Sequence, residues 1–491
     1  MSTFTPDPWE APAPGHWRRD FRLAEWLPAP LSPSFETWLL PLLEAGYRDG
    51  CEELFGYTVS DRLHVTVNGW YFTNEGTIEA PLRAFARHPR SMLSQGMALA
   101  TFPTRPERAE RALAAPGRRF LDDVARPALA GAIDRARVGA AADPVAAIDL
   151  LGRASGALLV PMVTTLGFAS KAEFALARFL RTNLPDEQRV SHLVLLAGVV
   201  APHAPQTHDV VSLDWVEPTF GEWPNDDTAL DAARERHERL RAEADRAAER
   251  CRAAMSASKA ARFDELLAVA REAILERDGI AGVMTQAWPE LRRAMAVVGA
   301  RLVEADVIAE AADAYFLERD EIVAALDGDR TPRKDHVGER RVRREARHHL
   351  TAPLSLGPAA GPWKQEAKFV DTLREPLGAG VTPLVQGVPT SAGVAEGAVR
   401  VVLGVDDFTA LEPGEILVAP VTAPAWTPLF AVAAAVVTDG GSPFSHTSVV
   451  AREYGIPAVV GSGNATTTMR TGDLVRVDGH TGAVTRVGPH R

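Results

Sequence analysis

Cysteine is almost missing: among 491 residues only Cys51 and Cys251 occur. Two thiols can build neither a disulfide framework nor a multi-cysteine zinc site, so both are expected to be reduced, in a cytoplasmic protein. A surplus of positive charge is missing too. The formal net charge of −11 argues against a nucleic-acid or anionic-membrane partner, since either calls for excess Lys and Arg. Long apolar runs are absent to the eye: Leu193 to Ala201 and Ala431 to Val437 fall well short of the roughly 18 residues of a membrane span. Met1 to Pro14 is acidic and proline-rich, without the basic-then-apolar pattern of a signal peptide. There are no internal repeats. These absences leave a soluble enzyme or enzyme subunit as the expectation.

What is present divides in two. With 46% hydrophobic and 24% charged residues, the length suits two to four domains. From about Pro28 to Leu326 the pattern is mainly helical. From Gly387 onward it changes to short Val, Ala and Ile runs broken by Gly, Pro, Asp and Thr, across the stretch Pro376 to Pro383. The expected fold is therefore multidomain α plus α/β: a mainly helical domain over 1–380, a linker over 381–386 and an α/β domain over 387–491. After Pro224, possible N-caps at 225–228 precede Leu230, Ala233, His237, Leu240, Ala244, Ala247, Cys251 and Ala254, spaced alternately by three and four. That is a narrow helical seam, with His237 and Cys251 as packing residues. A second helix around Arg262 to Glu276 is expected to pack against it. Further on, Ala398–Leu403, Glu415–Pro420, Ala433–Val437, Ala458–Val460 and Leu474–Val477 read as strands. Thr427–Val432 and Thr447–Tyr454 read as short helices.

The segment Val437 to Ser448 carries the chemistry. A buried strand runs into a Gly440-Gly441 turn, and a polar cluster then opens a helix that ends at Gly455-Ile456-Pro457. The glycines allow close approach of the backbone to a ligand. Ser445, His446 and Thr447 fall at the helix start, where free N–H groups and the helix dipole favour a phosphate. A histidine there can accept a phosphoryl group and have its charge stabilised. The plain alternative, a capping or core histidine after a tight turn, would prevail for a histidine seen in isolation.

The wider context favours the carrier. Thr438 to His446 resembles the T-D-x-G-G-x-x-S-H core of the phosphohistidine swivelling domain of the phosphoenolpyruvate-utilising enzymes, with Ser442 in place of the second family glycine. The run Val450 to Gly461 follows the family's V-A-R-E-x-G-I-P-A-V-V-G. Gly387, Pro389, Ser391, Gly393 and Gly397 match its entry pattern, and Thr422 to Phe430 its T-x-P-x-W-x-P-L-F. Members include pyruvate phosphate dikinase, phosphoenolpyruvate synthase, rifampin phosphotransferase and phenylphosphate synthase. More weakly, Val298 to Leu302, Asp313 to Leu317 with Glu321, and His208 to Glu222 resemble the helical acceptor-binding domain of the last two.

The resemblance implies a phosphotransferase working through His446 as catalytic residue, with Thr438, Gly440, Gly441, Ser445 and Thr447 around the phosphate. ATP-using members need an ATP-grasp domain, and no segment here has its Gly-rich loop with a Lys; nor does a (β/α)8 barrel follow the carrier. The expectation is a two-component system: ATP and Mg²⁺ sit on a partner subunit of the pyruvate phosphate dikinase ATP-binding type, and this chain holds no metal. The acceptor would be a phenol or other alcohol, then a rifamycin-type antibiotic. A non-catalytic phosphohistidine relay is the competing class. Transfer to a hydroxyl calls for a base. His208 is the first choice and His203 the second, both open to being surface-loop histidines. Arg271 and Arg277 are candidates to face the phosphate or to form a solvated helix face. Asn68, Trp70, Asp214 and Trp215 are candidates to line the acceptor site. His16-Trp17 and Asn68 to Phe72 are aromatic clusters that suit core packing as well as an aromatic lining.

Overall fold

The computed structural model describes every residue except 1–3, 20–21, 59–61, 75–88, 102–103, 186–187, 189, 201–205, 211, 223–229, 351, 359–376, 378–381, 423–425, 444 and 488–491. The N-terminal part is built mostly of helices, with one small sheet. In the helical stretches, proline leaves a visible signature. π-helical turns at Phe35–Leu39, Glu110–Ala114 and Leu121–Ala125 each stand just before Pro41, Pro116 and Pro127. A proline has no N–H to give and its ring crowds the carbonyl four residues back, so the preceding turn widens instead of breaking. Helix α1 (Leu40–Phe55) grows out of the first of these turns.

Helix α2 (Pro144–Ala157) starts from Asp143, whose carboxylate accepts the Ala146 N–H at 3.0 Å, with Pro144 at the first helical position. It continues almost directly into α3 (Leu159–Asn183). Across Pro144–Asn183 an 18-residue window has mean hydropathy 1.4, the membrane-like stretch that inspection of unbroken apolar runs does not show. Here 67% of that window is buried inside the protein, against α1 and the helices that follow. Next come α4 (His192–Leu196), α5 (Leu230–Ala253), α6 (Ala257–Met284) and α7 (Trp288–Glu304). The expected seam is present on α5: Ala247 and Cys251 are buried in one core with Phe263, Leu266 and Ala270 of α6, and Ala244 is buried as well. Ala254 lies beyond the helix end and is exposed, and the proposed caps 225–228 lie outside the described residues. Helix α6 overruns the expected 262–276 at both ends.

The small sheet has the order β2-β3-β1-β4, from β1 (Trp17–Arg18), β2 (His64–Val67), β3 (Trp70–Asn74) and β4 (Ser355–Leu356). Asn68 and Gly69, at φ 52 and 76, form the two-residue turn between β2 and β3. The aromatic cluster noted in the sequence is thus a hairpin. Val65, Val67, Trp70 and Phe72 fill one small core with Trp17, and His64 and Thr66 face the other way, toward Glu44 of α1 and Glu36 of the turn before it.

The C-terminal part is an eight-stranded sheet of order β5-β12-β11-β7-β8-β9-β10-β6. Its strands are β5 (Val385–Gln386), β6 (Val388–Ser391), β7 (Val394–Val401), β8 (Ile416–Ala419), β9 (Ala435–Thr438), β10 (Ala458–Val460), β11 (Leu474–Asp478) and β12 (Ala483–Arg486). Strand β5 lies within the stretch expected as linker, because Val385 and Gln386 pair with Val484 and Ala483. Strands β7 to β10 run parallel at the centre. Ile416, Val418, Ala435 and Val437 fill the core on one face of the sheet, and Leu417, Ala419 and Val436 that on the other. Helices α8 (Thr427–Val432) and α9 (His446–Tyr454) cross between β8, β9 and β10, so the loops leaving the C-terminal ends of these strands meet on one edge.

Candidate active site

Strand β9 ends at Thr438, fully buried, and the next seven residues set up the helix that begins with His446. The Thr438 hydroxyl donates to the Gly440 carbonyl at 2.7 Å. Thr438 was expected to touch phosphate; its side chain instead closes the turn from inside. Asp439 accepts the Thr466 N–H at 2.9 Å and the Thr466 hydroxyl. Burial pushes its carboxyl above the usual range, and the bonds from Thr466 pull the other way. Gly441 has φ +113, and a Cβ there would lie 3.1 Å from the Ser445 hydroxyl and 3.2 Å from Val460, so this position needs glycine. Ser442, where the family motif has its second glycine, stays out of the left-handed region. Serine is therefore accommodated without strain. Its carbonyl accepts the Ser445 N–H at 3.0 Å and the hydroxyls of Ser445 and Ser448 at 2.9 and 2.6 Å.

Ser445 is the N-cap of α9 but makes no side-chain cap, because its hydroxyl is engaged by Ser442 and Ser448. The first turn of an α-helix has N–H groups with no partner inside the helix, and the dipole adds positive character there. His446 occupies this turn, half-buried. Its Nδ1 lies 3.2 Å from the Thr422 hydroxyl, its Nε2 3.5 Å from that of Thr427, and Thr422 lies 2.8 Å from the buried Thr447 hydroxyl. Phe430 packs edge-on to the imidazole at 6.1 Å. Thr422, Thr427 and Phe430 were not among the sequence candidates, although the motif Thr422 to Phe430 that contains them was.

Helix α9 also joins the two parts of the chain. Arg452 is 5% exposed and Glu173, on α3, is 4% exposed; their N–O distance is 3.1 Å. The same guanidinium donates to the Thr390 carbonyl at 2.6 Å and to the Pro443 carbonyl, in the turn before His446. The other Glu173 oxygen lies 3.3 Å from His192 Nε2. At the end of α9, Gly455 abuts Leu240 of α5 so closely that a Cβ would fall 1.9 Å from its Cδ1.

The turn thus brings together Thr438, Gly440, Gly441, Ser445, His446 and Thr447; the other sequence candidates lie in the helical part. His208 donates Nε2–H to the Gly282 carbonyl at 2.8 Å, and His203 lies outside the described residues. Arg271 is held by the Leu195 carbonyl and by Asp245, tying α6 to α4 and α5. Arg277 lies on α6, with its side chain outside the described residues. Asp214 is buried, accepting from the Ser32 N–H at 2.5 Å and the Ser32 hydroxyl at 2.6 Å. Its carboxyl is raised by burial, against the pull of Arg344 and Ser32. Trp215 is fully buried and donates to the Ser34 hydroxyl at 2.8 Å. Both brace a loop against the Ser32–Ser34 segment that leads into the Phe35–Leu39 turn. Asn68 bridges the backbone of Asp7, and Trp70 packs under Arg19, 4.0 Å from its ring, with Nε1 donating to the Arg347 carbonyl. Both therefore serve the hairpin.

Residues 411–482 match the family described as PEP-utilising enzyme, mobile domain. This segment is similar to the mobile domain of the PEP-utilising enzymes. The matched residues include the His446 turn and both neighbouring crossover helices. The chain is 36% identical over 197 residues to an uncharacterised phosphotransferase, YvkC, of Bacillus subtilis, covering 39% of this chain and 23% of that one. It is 37% identical over 186 residues to a rifampicin phosphotransferase of Bacillus subtilis, covering 38% and 20%. Over 102 residues it is 50% identical to a phosphoenolpyruvate synthase of Aeropyrum pernix, covering 21% and 12%. The chain thus spans less than a quarter of the length of each of these relatives.

Proposed function

We propose that this chain is the acceptor-phosphorylating component of a phosphotransferase, with His446 as the covalent carrier. The observation that carries the reading is His446 in the first turn of α9, with threonine hydroxyls beside both ring nitrogens, inside the matched mobile domain. In the tautomer this role requires, Nδ1–H donates to the Thr422 hydroxyl at 3.2 Å and Thr422 in turn donates to Thr447 at 2.8 Å. The Nε2 lone pair is then left to attack phosphorus. Thr427 is placed to donate to a phosphoryl oxygen on Nε2, and the helix N-terminus favours the negative charge that arrives there.

The donor is ATP, bound with Mg²⁺ by a separate ATP-grasp subunit. The mobile domain swivels from that subunit to a phenol or other alcohol bound in the helical part. Phosphoryl transfer depends on positioning and charge stabilisation, which suits one carrier visiting two prebuilt sites. Relatives named as phosphotransferases support the reaction class, and the rifampicin enzymes among them make an antibiotic hydroxyl the second acceptor class.

The test is incubation with a candidate ATP-grasp subunit, Mg-ATP and a panel of phenols, with products read by mass spectrometry. A phosphorylated phenol that requires both chains and His446 supports the reading. Robust ATP consumption by this chain alone contradicts the two-component arrangement.

A further inference from the structure

The helical part contains a second histidine site, away from the mobile domain. A pocket of about 470 Å³ is lined by Pro12, Leu63 and Thr66 together with Glu44, Arg48, Arg62 and His64. Strand β2 alternates, sending Val65 and Val67 into the small core and His64 toward α1. There His64 Nδ1 meets Glu44 Oε1 at 2.5 Å. An ionised carboxylate only accepts, so Nδ1 carries its proton toward Glu44, and in the neutral imidazole Nε2 is the nitrogen that can take a proton. Stacking on Tyr71, at 5.2 Å between centroids and 15° between planes, holds the ring in place. Among the described residues no protein group is bonded to Nε2.

We propose that this pocket binds the hydroxylated acceptor and its phosphate ester, with His64 as the base and Arg48 and Arg62 receiving the phosphate. The volume suits a small molecule, and Pro12 and Leu63 give it an apolar wall. Arginine is the side chain best matched to phosphate oxygens. The chemical role rests on the phosphohistidine reading above. The hydroxyl proton passes to His64 Nε2 as the hydroxyl oxygen bonds to phosphorus, and the P–N bond to His446 breaks with its electron pair returning to that imidazole. This assigns the base to His64 rather than to His208, whose ring ties its loop to Gly282 and does not line this pocket.

The site is tested without any transfer, by titrating the full chain with phenyl phosphate and following heat and the histidine resonances by NMR. Saturable binding that shifts the His64 ring is expected. Arg48→Ala and Arg62→Ala should each weaken it roughly tenfold or more, the worth of a charged hydrogen bond. His64→Asn, which can still donate to Glu44, should remain folded and retain phosphate binding, while His208→Ala should change nothing. No saturation at millimolar phenyl phosphate, or equal binding by both arginine variants, would overturn the proposal. None of these readouts involves His446. Failure of the carrier reading would appear separately, as absence of label on His446.

Discussion

Thr422 is the residue that sets the state of His446. It stands between Nδ1 and the buried Thr447 hydroxyl, and on the reading proposed above it accepts the Nδ1 proton and leaves Nε2 as the reacting nitrogen. Thr422→Val keeps the shape and removes the bridge. Unfolding by urea should show a loss of about 1–3 kcal/mol, and phosphorylation of His446 should slow roughly tenfold. Unchanged phosphorylation would mean that the tautomer is fixed elsewhere. His237 makes a different test. It lies in the α5 seam with a buried Nδ1 that meets no hydrogen-bond partner among the described residues, and burial, helped by Arg241, holds its pKa below the ordinary value. The folded state therefore binds fewer protons than the unfolded one as pH falls through the histidine range. Its contribution is present above the unfolded value and lost toward acid. His237→Leu should be more resistant to urea than the parent at pH 5 by a larger margin than at pH 7.5. A margin independent of pH would remove His237 from the acid response.

At the scale of elements, α9 does two jobs, and Arg452 links them. It holds the Pro443 carbonyl ahead of His446 and reaches Glu173 across the interface. A buried ion pair adds little net stability against its desolvation cost, but it makes one docked position specific. Glu173→Ala would leave a buried guanidinium without its counter-charge, a cost of about 3–5 kcal/mol. Hydrogen exchange should quicken in α4 and in the second half of α9, with β11 and β12 unaffected. Equal exchange in both proteins would show that the pair does not hold the interface. None of this is legible in the sequence, where the partners stand 279 positions apart. Strands β8, β9 and β10 are legible because parallel strands covered on both faces appear as unbroken apolar runs. Strand β7 starts four residues before its expected start because Glu396 and Arg400 interrupt its apolar pattern. Strands β5, β6 and β12 are short and take their state from pairing. The Asn68-Gly69 hairpin signal was visible, and the aromatic residues around it obscured it.

For the whole molecule, the division into a helical part and an α/β part follows from composition, and the carrier turn follows from its motif. The residues proposed for the acceptor side are less legible for a physical reason. Asp214, Trp215, Asn68 and Trp70 are polar or aromatic residues near distinctive sequence, yet each is used in packing or in holding a turn. The His64 pocket instead depends on a side chain of β2 meeting one of α1, a pairing that tertiary structure alone creates. One chain would then carry both the phosphoryl group and its destination, with the ATP chemistry on a partner. The most direct measurement is to phosphorylate the chain with the ATP-grasp subunit and labelled ATP, map the label by mass spectrometry under basic conditions, and then add acceptor. The expected result is a single acid-labile, base-stable phosphoryl group on His446, lost on adding a phenol and absent from His446→Ala. A label that survives His446→Ala, or an acid-stable one on Ser445 or Thr447, would contradict the carrier role of His446.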